Sequence, residues 1–185
     1  MLYRKLDVPN YKEISEEVYK FVVEQTKILD FNEFWNKTDI TSFRKHNPKI
    51  INYFKSIGLT LIDASIIYIT EKRHLVVHVD GEIGKDMPPR IQWGILNYQG
   101  TRTALYEFIN TKIKPIQQYT NDANKSPYLC IIPDSVREVD SFILDDGPVV
   151  WQPNKPHKVI SGKNFPRLTL TCKFIEPLDF LLEEQ

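Results

Sequence analysis

The sequence predicts a mainly β protein with a helical amino-terminal third and an antiparallel β-sandwich or barrel after it. Before Gly58, apolar residues recur at the spacing of amphipathic helices, with Glu and Lys between them. After Gly58 the chain breaks into short β-branched and aromatic runs, separated by Gly, Pro, Asn and Asp. Strands that follow one another without intervening helices favour antiparallel pairing over a parallel doubly wound sheet.

The helical part contains two predicted elements. The first helix runs from Tyr11 to Leu29, where one stripe of apolar residues is flanked by charged ones. The second begins after Asn47, a residue type suited to the N-cap, with Pro48 in the first turn and Gly58 as the stop. These two helices account for most of residues 1–58.

The second part is predicted to consist of strands only. The predicted strands are Leu59 to Thr70, His74 to Val79, Arg90 to Asn97, Arg102 to Ile109, Ile116 to Thr120, Tyr128 to Ile132, Val139 to Leu144, Val149 to Gln152, Lys158 to Ile160 and Arg167 to Ile175. A length of 185 residues fits one domain. We therefore expect residues 1–185 to form a single domain, with residues 1–58 packed on a β core of residues 59–175.

Charge and composition narrow the possible partners. Lys plus Arg and Asp plus Glu both number 24, so the formal net charge is zero and no long block of one sign occurs. This balance disfavours nucleic acid or an anionic membrane surface as the main partner. The sequence also lacks a signal-peptide core and any apolar run long enough for a spanning helix. We expect a cytoplasmic protein, with Cys130 and Cys172 as buried free thiols.

The segment His78-Val79-Asp80 is the first candidate for chemistry. Residues two apart on a strand share a face, so His78 and Asp80 can both reach one ion. His74 lies on the same face, but four residues of strand place it about 13 Å from His78, too far to share that ion. Alone, a His-x-Asp segment is more often an ordinary polar strand end than a metal site.

Two downstream residues raise the expectation of a metal site. His157 follows a Pro-rich turn that would hold it still, whereas His46 is predicted to be a solvated surface residue. Two imidazoles and one carboxylate form the ligand set that holds non-haem Fe(II) and leaves other positions open. Ten residues later, Arg167 shares a strand face with Thr169, and a guanidinium beside a hydroxyl makes a receptor for a carboxylate.

The order His-x-Asp, distant His, then Arg resembles that of Fe(II)/2-oxoglutarate-dependent oxygenases. The similarity extends over roughly residues 59 to 175. The segments Pro156-His157-Lys158-Val159 and Pro166 to Leu170 look like the aspartyl/asparaginyl β-hydroxylase branch. The segments Arg90 to Asn97 and Gly100 to Glu107 look like small bacterial and phage members of the superfamily. The resemblance implies a double-stranded β-helix, or jelly roll of the cupin type.

The resemblance also implies the site and the activity. His78, Asp80 and His157 would bind Fe(II), Arg167 and Thr169 would bind the distal carboxylate of 2-oxoglutarate, and O2 would be the co-substrate. Asn97 and Trp93 are candidate contacts of co-substrate or substrate, with a purely structural role left equally open. No catalytic residue beyond the metal ligands is expected.

The implied reaction is hydroxylation of a C–H bond in a small-molecule or peptidyl substrate, with an amino acid or peptide favoured. Two alternatives stay open from the sequence. One is a metal-binding cupin of other chemistry that does not use 2-oxoglutarate. The other is a non-catalytic β-barrel binding module with structural histidines. The oligomeric state is not predicted.

Overall fold

The computed structural model describes residues 1–25, 35–71, 76–81, 87–110, 116–119, 127–131, 133–160 and 162–183, and of residues 116–119, 127–130 and 133 only the backbone. The helices are α1 (Tyr11–Glu24), α2 (Ile40–His46) and α3 (Pro48–Ser56), with short 3-10 turns at Pro133–Ser135 and Asp179–Leu181. The strands are β1 (Tyr3–Lys5), β2 (Trp35–Lys37), β3 (Leu61–Ile69), β4 (His78–Asp80), β5 (Arg90–Leu96), β6 (Arg102–Phe108), β7 (Ile116–Tyr119), β8 (Pro127–Cys130), β9 (Val136–Ile143), β10 (Val149–Trp151), β11 (His157–Ile160) and β12 (Arg167–Phe174). The prediction of a mainly β chain with amino-terminal helices is confirmed.

The strands form two six-stranded sheets, and the described pairings are antiparallel. The first sheet has the order β1-β10-β5-β12-β3-β2, and the second has the order β7-β8-β4-β11-β6-β9. The chain alternates between the sheets from β3 to β6 and again from β9 to β12. This arrangement is compatible with a β-sandwich, and it brings strands that are distant in sequence next to each other.

The helices cover one face of the first sheet, where the main apolar core lies. Trp93 of β5 is fully buried there, with its ring 6.0 Å from that of Phe54 in α3 and 5.2 Å from that of Tyr11 in α1. Its indole Nε1 donates a hydrogen bond of 2.9 Å to Ser15 Oγ. Cys172 also lies in this core as a free thiol, as predicted, whereas the side chain of Cys130 lies outside the described residues.

The opposite face of the first sheet is rich in polar residues and is directed towards the second sheet. We call it the inner face, and on β5 and β12 it carries Arg90, Gln92, Arg167 and Thr169, because side chains alternate along a strand. Trp151 of β10 connects the sheets, since its ring lies 4.6 Å from that of His157. The candidate site therefore lies between the sheets.

Short elements near the amino terminus were not predicted. Strands β1 and β2 have three residues each and pair with β10 and β3, contacts that no local pattern encodes. Helix α2 was missed as well, and His46 is its exposed last residue and does not lie in a loop. Helix α1 ends at Glu24, and the rest of its predicted range, up to Leu29, falls outside the described part except for Gln25.

Asn47 differs from its predicted role. The start of α3 at Pro48 is confirmed, but the Asn47 side chain makes no capping hydrogen bond to that helix. Its Nδ2 donates instead to the carbonyl of Phe43, at 2.8 Å, and so closes the end of α2. The physical reason is burial: Asn47 is fully enclosed between the two helices, and its Nδ2 joins its own backbone N–H as a second donor to the Phe43 carbonyl at the end of α2.

Among the described residues, no helix has both the length and the apolar character that a membrane crossing requires.

Candidate metal centre

His78, Asp80 and His157 come together at the junction of two neighbouring strands. Strands β4 and β11 pair antiparallel, and His157 lies directly opposite His78. Asp80 Oδ1 lies 3.5 Å from His78 Nε2 and 3.9 Å from His157 Nε2. One ligand atom from each of the three residues can be chosen so that all lie within 4.8 Å of one another, and these residues could hold a metal ion. His74 lies outside the described residues.

The second nitrogen of each imidazole is hydrogen-bonded to the backbone. His78 Nδ1 lies 2.9 Å from the carbonyl oxygen of Val76, and His157 Nδ1 lies 2.9 Å from that of Lys155. A carbonyl oxygen only accepts, so each Nδ1 carries the hydrogen and donates it. Each Nε2 then keeps its lone pair in the neutral ring, as a metal ligand requires.

The Pro-rich turn before His157 is anchored to both neighbouring strands. The Asp80 N–H donates to the carbonyl of Pro153 at 3.0 Å, and the Tyr106 N–H donates to that of Pro156 at 2.8 Å. The bond from Asp80 to Pro153 links Asp80 directly to the turn that leads to His157. The turn thereby holds the two candidate ligands in register.

The protonation states suit metal binding. Burial raises the pKa of Asp80, but the hydrogen bond from His78 and the positive charges of His157, His78 and Arg90 together lower it to about 2. Burial and repulsion by His78 lower the pKa of His157 to about 4. Burial lowers the pKa of His78, but its interaction with Asp80 outweighs burial and raises that pKa above the ordinary value. At neutral pH, Asp80 is therefore ionised and His157 is neutral.

Arg167 and Thr169 form a buried polar pair on the inner face. Arg167 is only 1% exposed, and within the described part of the chain its Nε and Nη1 atoms have no hydrogen-bond partner. Thr169 Oγ1 is fully buried and has no partner there either. Burial lowers the pKa of Arg167 to about 10. Because an unpaired buried cation is costly, this pair has the character of an incomplete anion site.

Trp93 and Asn97 do not have the positions expected for co-substrate contacts. Trp93 lies on the helix-covered face, where its ring packs near Phe54 and its indole donates to Ser15, as in the structural role that the sequence left open. The chain has a left-handed backbone at Asn97, with φ of 51°, just beyond β5. The Asn97 Nδ2 atom donates to the carbonyl of Pro166 at 2.8 Å, so it positions the residue before Arg167.

The sequence interpretation missed Arg90 and Gln92. They are 6% and 4% exposed, and among the described residues Arg90 Nε and Gln92 Oε1 have no hydrogen-bond partner. The available signal was the alternation Arg90-Ile91-Gln92-Trp93, which places two polar residues on one face of a strand.

Comparisons with known proteins add little to this geometry. No protein-family model matches the chain, and no curated protein matches it. Among solved structures, it is similar to a truncated form of the viral collagen prolyl hydroxylase vCPH from Paramecium Bursaria Chlorella virus-1, with 11% identity, coverage of 93% of this chain and 89% of that chain, and a TM-score of 0.37. A likeness this weak supports no conclusion about activity, which must be inferred from the side chains.

Proposed function

We propose that this protein is an Fe(II)- and 2-oxoglutarate-dependent oxygenase that hydroxylates a C–H bond. The observation that carries the proposal is the convergence of His78, Asp80 and His157 with both imidazole Nδ1 atoms engaged by the backbone. Two imidazoles and one carboxylate suit non-haem Fe(II), because three protein ligands leave positions for a co-substrate and O2.

The buried pair of Arg167 and Thr169 fits the distal carboxylate of 2-oxoglutarate. A guanidinium offers a fork of N–H donors and the neighbouring hydroxyl adds one more, so a carboxylate would satisfy atoms that now have no partner among the described residues. The low exposure of Arg167 would strengthen that ion pair by excluding water. Asn97 would support the site by fixing the backbone at Pro166.

We further infer that the alternation of β3 to β6 and β9 to β12 between the two sheets is that of a double-stranded β-helix. In such a fold, a site between the sheets can be lined by polar residues from both and still be enclosed by apolar packing outside. Helices α1 and α3 supply that packing for the first sheet.

Bound Fe(II) and 2-oxoglutarate would supply O2-dependent oxidation of a C–H bond, with 2-oxoglutarate converted to succinate and CO2. The chain itself would hold the ion through His78, Asp80 and His157 and orient the co-substrate through Arg167. It would also limit access of water, since His157 and Arg167 are 3% and 1% exposed. We propose a small-molecule or peptidyl substrate, with an amino acid or peptide side chain favoured.

The test is anaerobic addition of Fe(II) and 2-oxoglutarate to the metal-free protein, followed by visible absorption spectroscopy and then by measurement of succinate after O2 is admitted. We expect a weak charge-transfer band and succinate formation in the wild type. Asp80→Ala should lose both, whereas His46→Gln, a change at the exposed end of α2, should keep both.

Other outcomes would select among the alternatives. Metal binding without a 2-oxoglutarate-dependent band or succinate would favour a cupin of other chemistry. Failure of the wild type to bind Fe(II) would contradict the proposal and leave a binding module with structural histidines. Arg167→Gln should bind Fe(II) normally but require a much higher 2-oxoglutarate concentration for the band.

A further inference from the structure

We propose that Arg90 forms a second anion site beside the metal centre and that it binds a carboxylate of the substrate. This inference rests on the proposed function, and it adds the chemical class of the substrate. It places a negatively charged group of the substrate at the end of the inner face where the triad lies, separate from the site of Arg167.

The Arg90 side chain is buried, and no ion pair joins it to a carboxylate of the described residues. It is 6% exposed, and its Nε atom has no hydrogen-bond partner within the described ranges. Its contacts are a 3.9 Å approach of Nη2 to Met87 Sδ and a cation–π contact of 5.4 Å between Cζ and the Trp35 ring. A thioether and an aromatic face leave the fork of N–H donors available.

Strand register places Arg90 at the same end of the inner face as the triad. Arg90 pairs with Trp151 across β5 and β10, and the Trp151 ring contacts that of His157. Arg90 is also close enough to Asp80 for its charge to help lower the pKa of that carboxyl group. Gln92, two residues along the same face, has no hydrogen-bond partner for its Oε1 in the described part of the chain, and this atom can accept from an O–H or N–H of the same ligand.

Arg167 lies at the other end of this face. Cys172 of β12 pairs with Ile91, so Lys173 lies beside Arg90. Arg167 is six residues before Lys173 on the same strand, which corresponds to about 20 Å between the two Cα positions. The two guanidinium groups are thus carried by opposite ends of the sheet and can serve different anions.

The charges around Arg90 favour an anionic ligand. Lys173 lies on the inner face together with Asp63, and Lys37 forms an ion pair of 3.3 Å with Asp63. Asp63 is therefore already paired with Lys37. Asp80 lies 3.5 Å from His78 Nε2 in the metal-free protein and would be neutralised by a metal ion in the loaded protein. The remaining positive charge of Arg90 and Lys173 has no matching carboxylate among these residues, and it would attract an acid.

The carboxylate is assigned to the substrate because the proposed function already accounts for both carboxylates of 2-oxoglutarate. One would pair with Arg167, and the other would bind the metal ion. A further anion at the triad end must then come from another molecule. The molecule to be oxidised is the one that has to lie beside the metal ion.

The test compares a carboxylate with its neutral amide. N-acetylglycine and N-acetylglycinamide are titrated into the protein while tryptophan fluorescence is followed, because Trp35 and Trp151 flank Arg90. One set of titrations uses the metal-free Arg167→Gln variant, in which the anion site of Arg167 is removed. A second set uses the wild type with Fe(II) and 2-oxoglutarate under anaerobic conditions. We expect saturable binding of the acid and none of the amide.

Arg90→Gln should weaken binding of the acid about 10- to 100-fold, as expected for loss of a charged hydrogen-bond donor. Arg90→Lys keeps the positive charge but loses the fork, so it should show an intermediate affinity and serves if Arg90→Gln does not fold. Arg102→Gln, which removes a partly exposed guanidinium paired with Glu138 on the second sheet, should bind like its parent.

The proposal would be overturned if Arg90→Gln bound the acid with the same affinity as its parent. If only Arg90→Lys folds, the same comparison is made with that variant. The proposal would also be overturned if Arg90→Gln raised the requirement for 2-oxoglutarate as strongly as Arg167→Gln, because the anion at Arg90 would then belong to the co-substrate. Failure of the proposed function gives a different pattern. The Fe(II)/2-oxoglutarate band would be absent while the metal-free protein still bound the acid through Arg90.

Discussion

Replacing Arg167 by Met should make the metal-free protein more stable, although the residue is fully buried in a sheet. Replacing a large core residue usually makes the folded protein less stable, because a cavity is left. Arg167 differs because its Nε and Nη1 atoms are buried without partners among the described residues. Methionine fills much of the same space with a flexible apolar chain and leaves no N–H unpaired.

The size of the effect follows from the burial of the charge. The pKa of Arg167 is about 10, against an ordinary value of 12.5. Since a tenfold change in proton affinity corresponds to ~1.4 kcal/mol, burial disfavours the charged form by roughly 3 kcal/mol. Some of this is offset by lost packing, so we expect the free energy of unfolding to rise by about 1–3 kcal/mol. For a chain of this size, that raises the melting temperature by roughly 3–10 °C.

The assay is thermal unfolding of both proteins, followed by circular dichroism, without metal and then with Fe(II) and increasing 2-oxoglutarate under anaerobic conditions. At 100 times its dissociation constant, 2-oxoglutarate should stabilise the wild type by about 2.7 kcal/mol. It should have little effect on Arg167→Met, so the stability advantage of the variant over the wild type should shrink by about this amount. Arg102→Met is the matched control, and loss of its ion pair with Glu138 should change the stability by less than about 1 kcal/mol.

The reasoning is refuted if metal-free Arg167→Met has a native-like spectrum but melts below the wild type. The guanidinium would then be making a structural contact that stabilises the apo fold. An unchanged response to 2-oxoglutarate would separately contradict the role of Arg167 in binding the co-substrate.

Three further predictions test the metal centre and its surroundings. Metal affinity should fall about tenfold per pH unit below the pKa of His78, which is raised by Asp80, because the metal ion displaces the proton on His78. Asp80 and His157, with pKa values of about 2 and 4, should contribute only in stronger acid. A metal affinity that stays constant between about pH 5 and 7 in metal titrations would contradict this. Trp93→Phe should lower the free energy of unfolding, measured by urea denaturation, by about 1–3 kcal/mol without changing 2-oxoglutarate affinity. A weaker 2-oxoglutarate affinity would indicate that Trp93 contacts the co-substrate. Asn97→Ala should lower 2-oxoglutarate affinity a few-fold and leave metal affinity unchanged in the same titrations, because the support of Pro166 is lost and Ala fits the left-handed backbone at this position less well. An unchanged 2-oxoglutarate affinity would count against that support.

Strand β5 shows how far local patterns could be used. Its position was predicted correctly because the run from Arg90 is rich in β-branched and aromatic residues and ends before a turn. The pattern did not reveal which face was directed towards the site, since both faces of this strand are buried. Helices α1 and α3 pack on the side of Trp93, and this contact leaves Arg90 and Gln92 on the inner face.

Local patterns were sufficient to predict the type of most elements and to identify the candidate ligands. The period of two along a strand was sufficient to place His78 and Asp80 on one face, and their chemistry was sufficient to suggest a metal ion. The pairing of β11 with β4, which places His157 opposite His78, became evident only from the arrangement of the strands in space. The same holds for the burial of Arg90 Nε and of Arg167 Nε and Nη1 without hydrogen-bond partners among the described residues. The physical reason is that periodicity depends on neighbouring residues, whereas strand pairing and burial depend on how all the elements together exclude water.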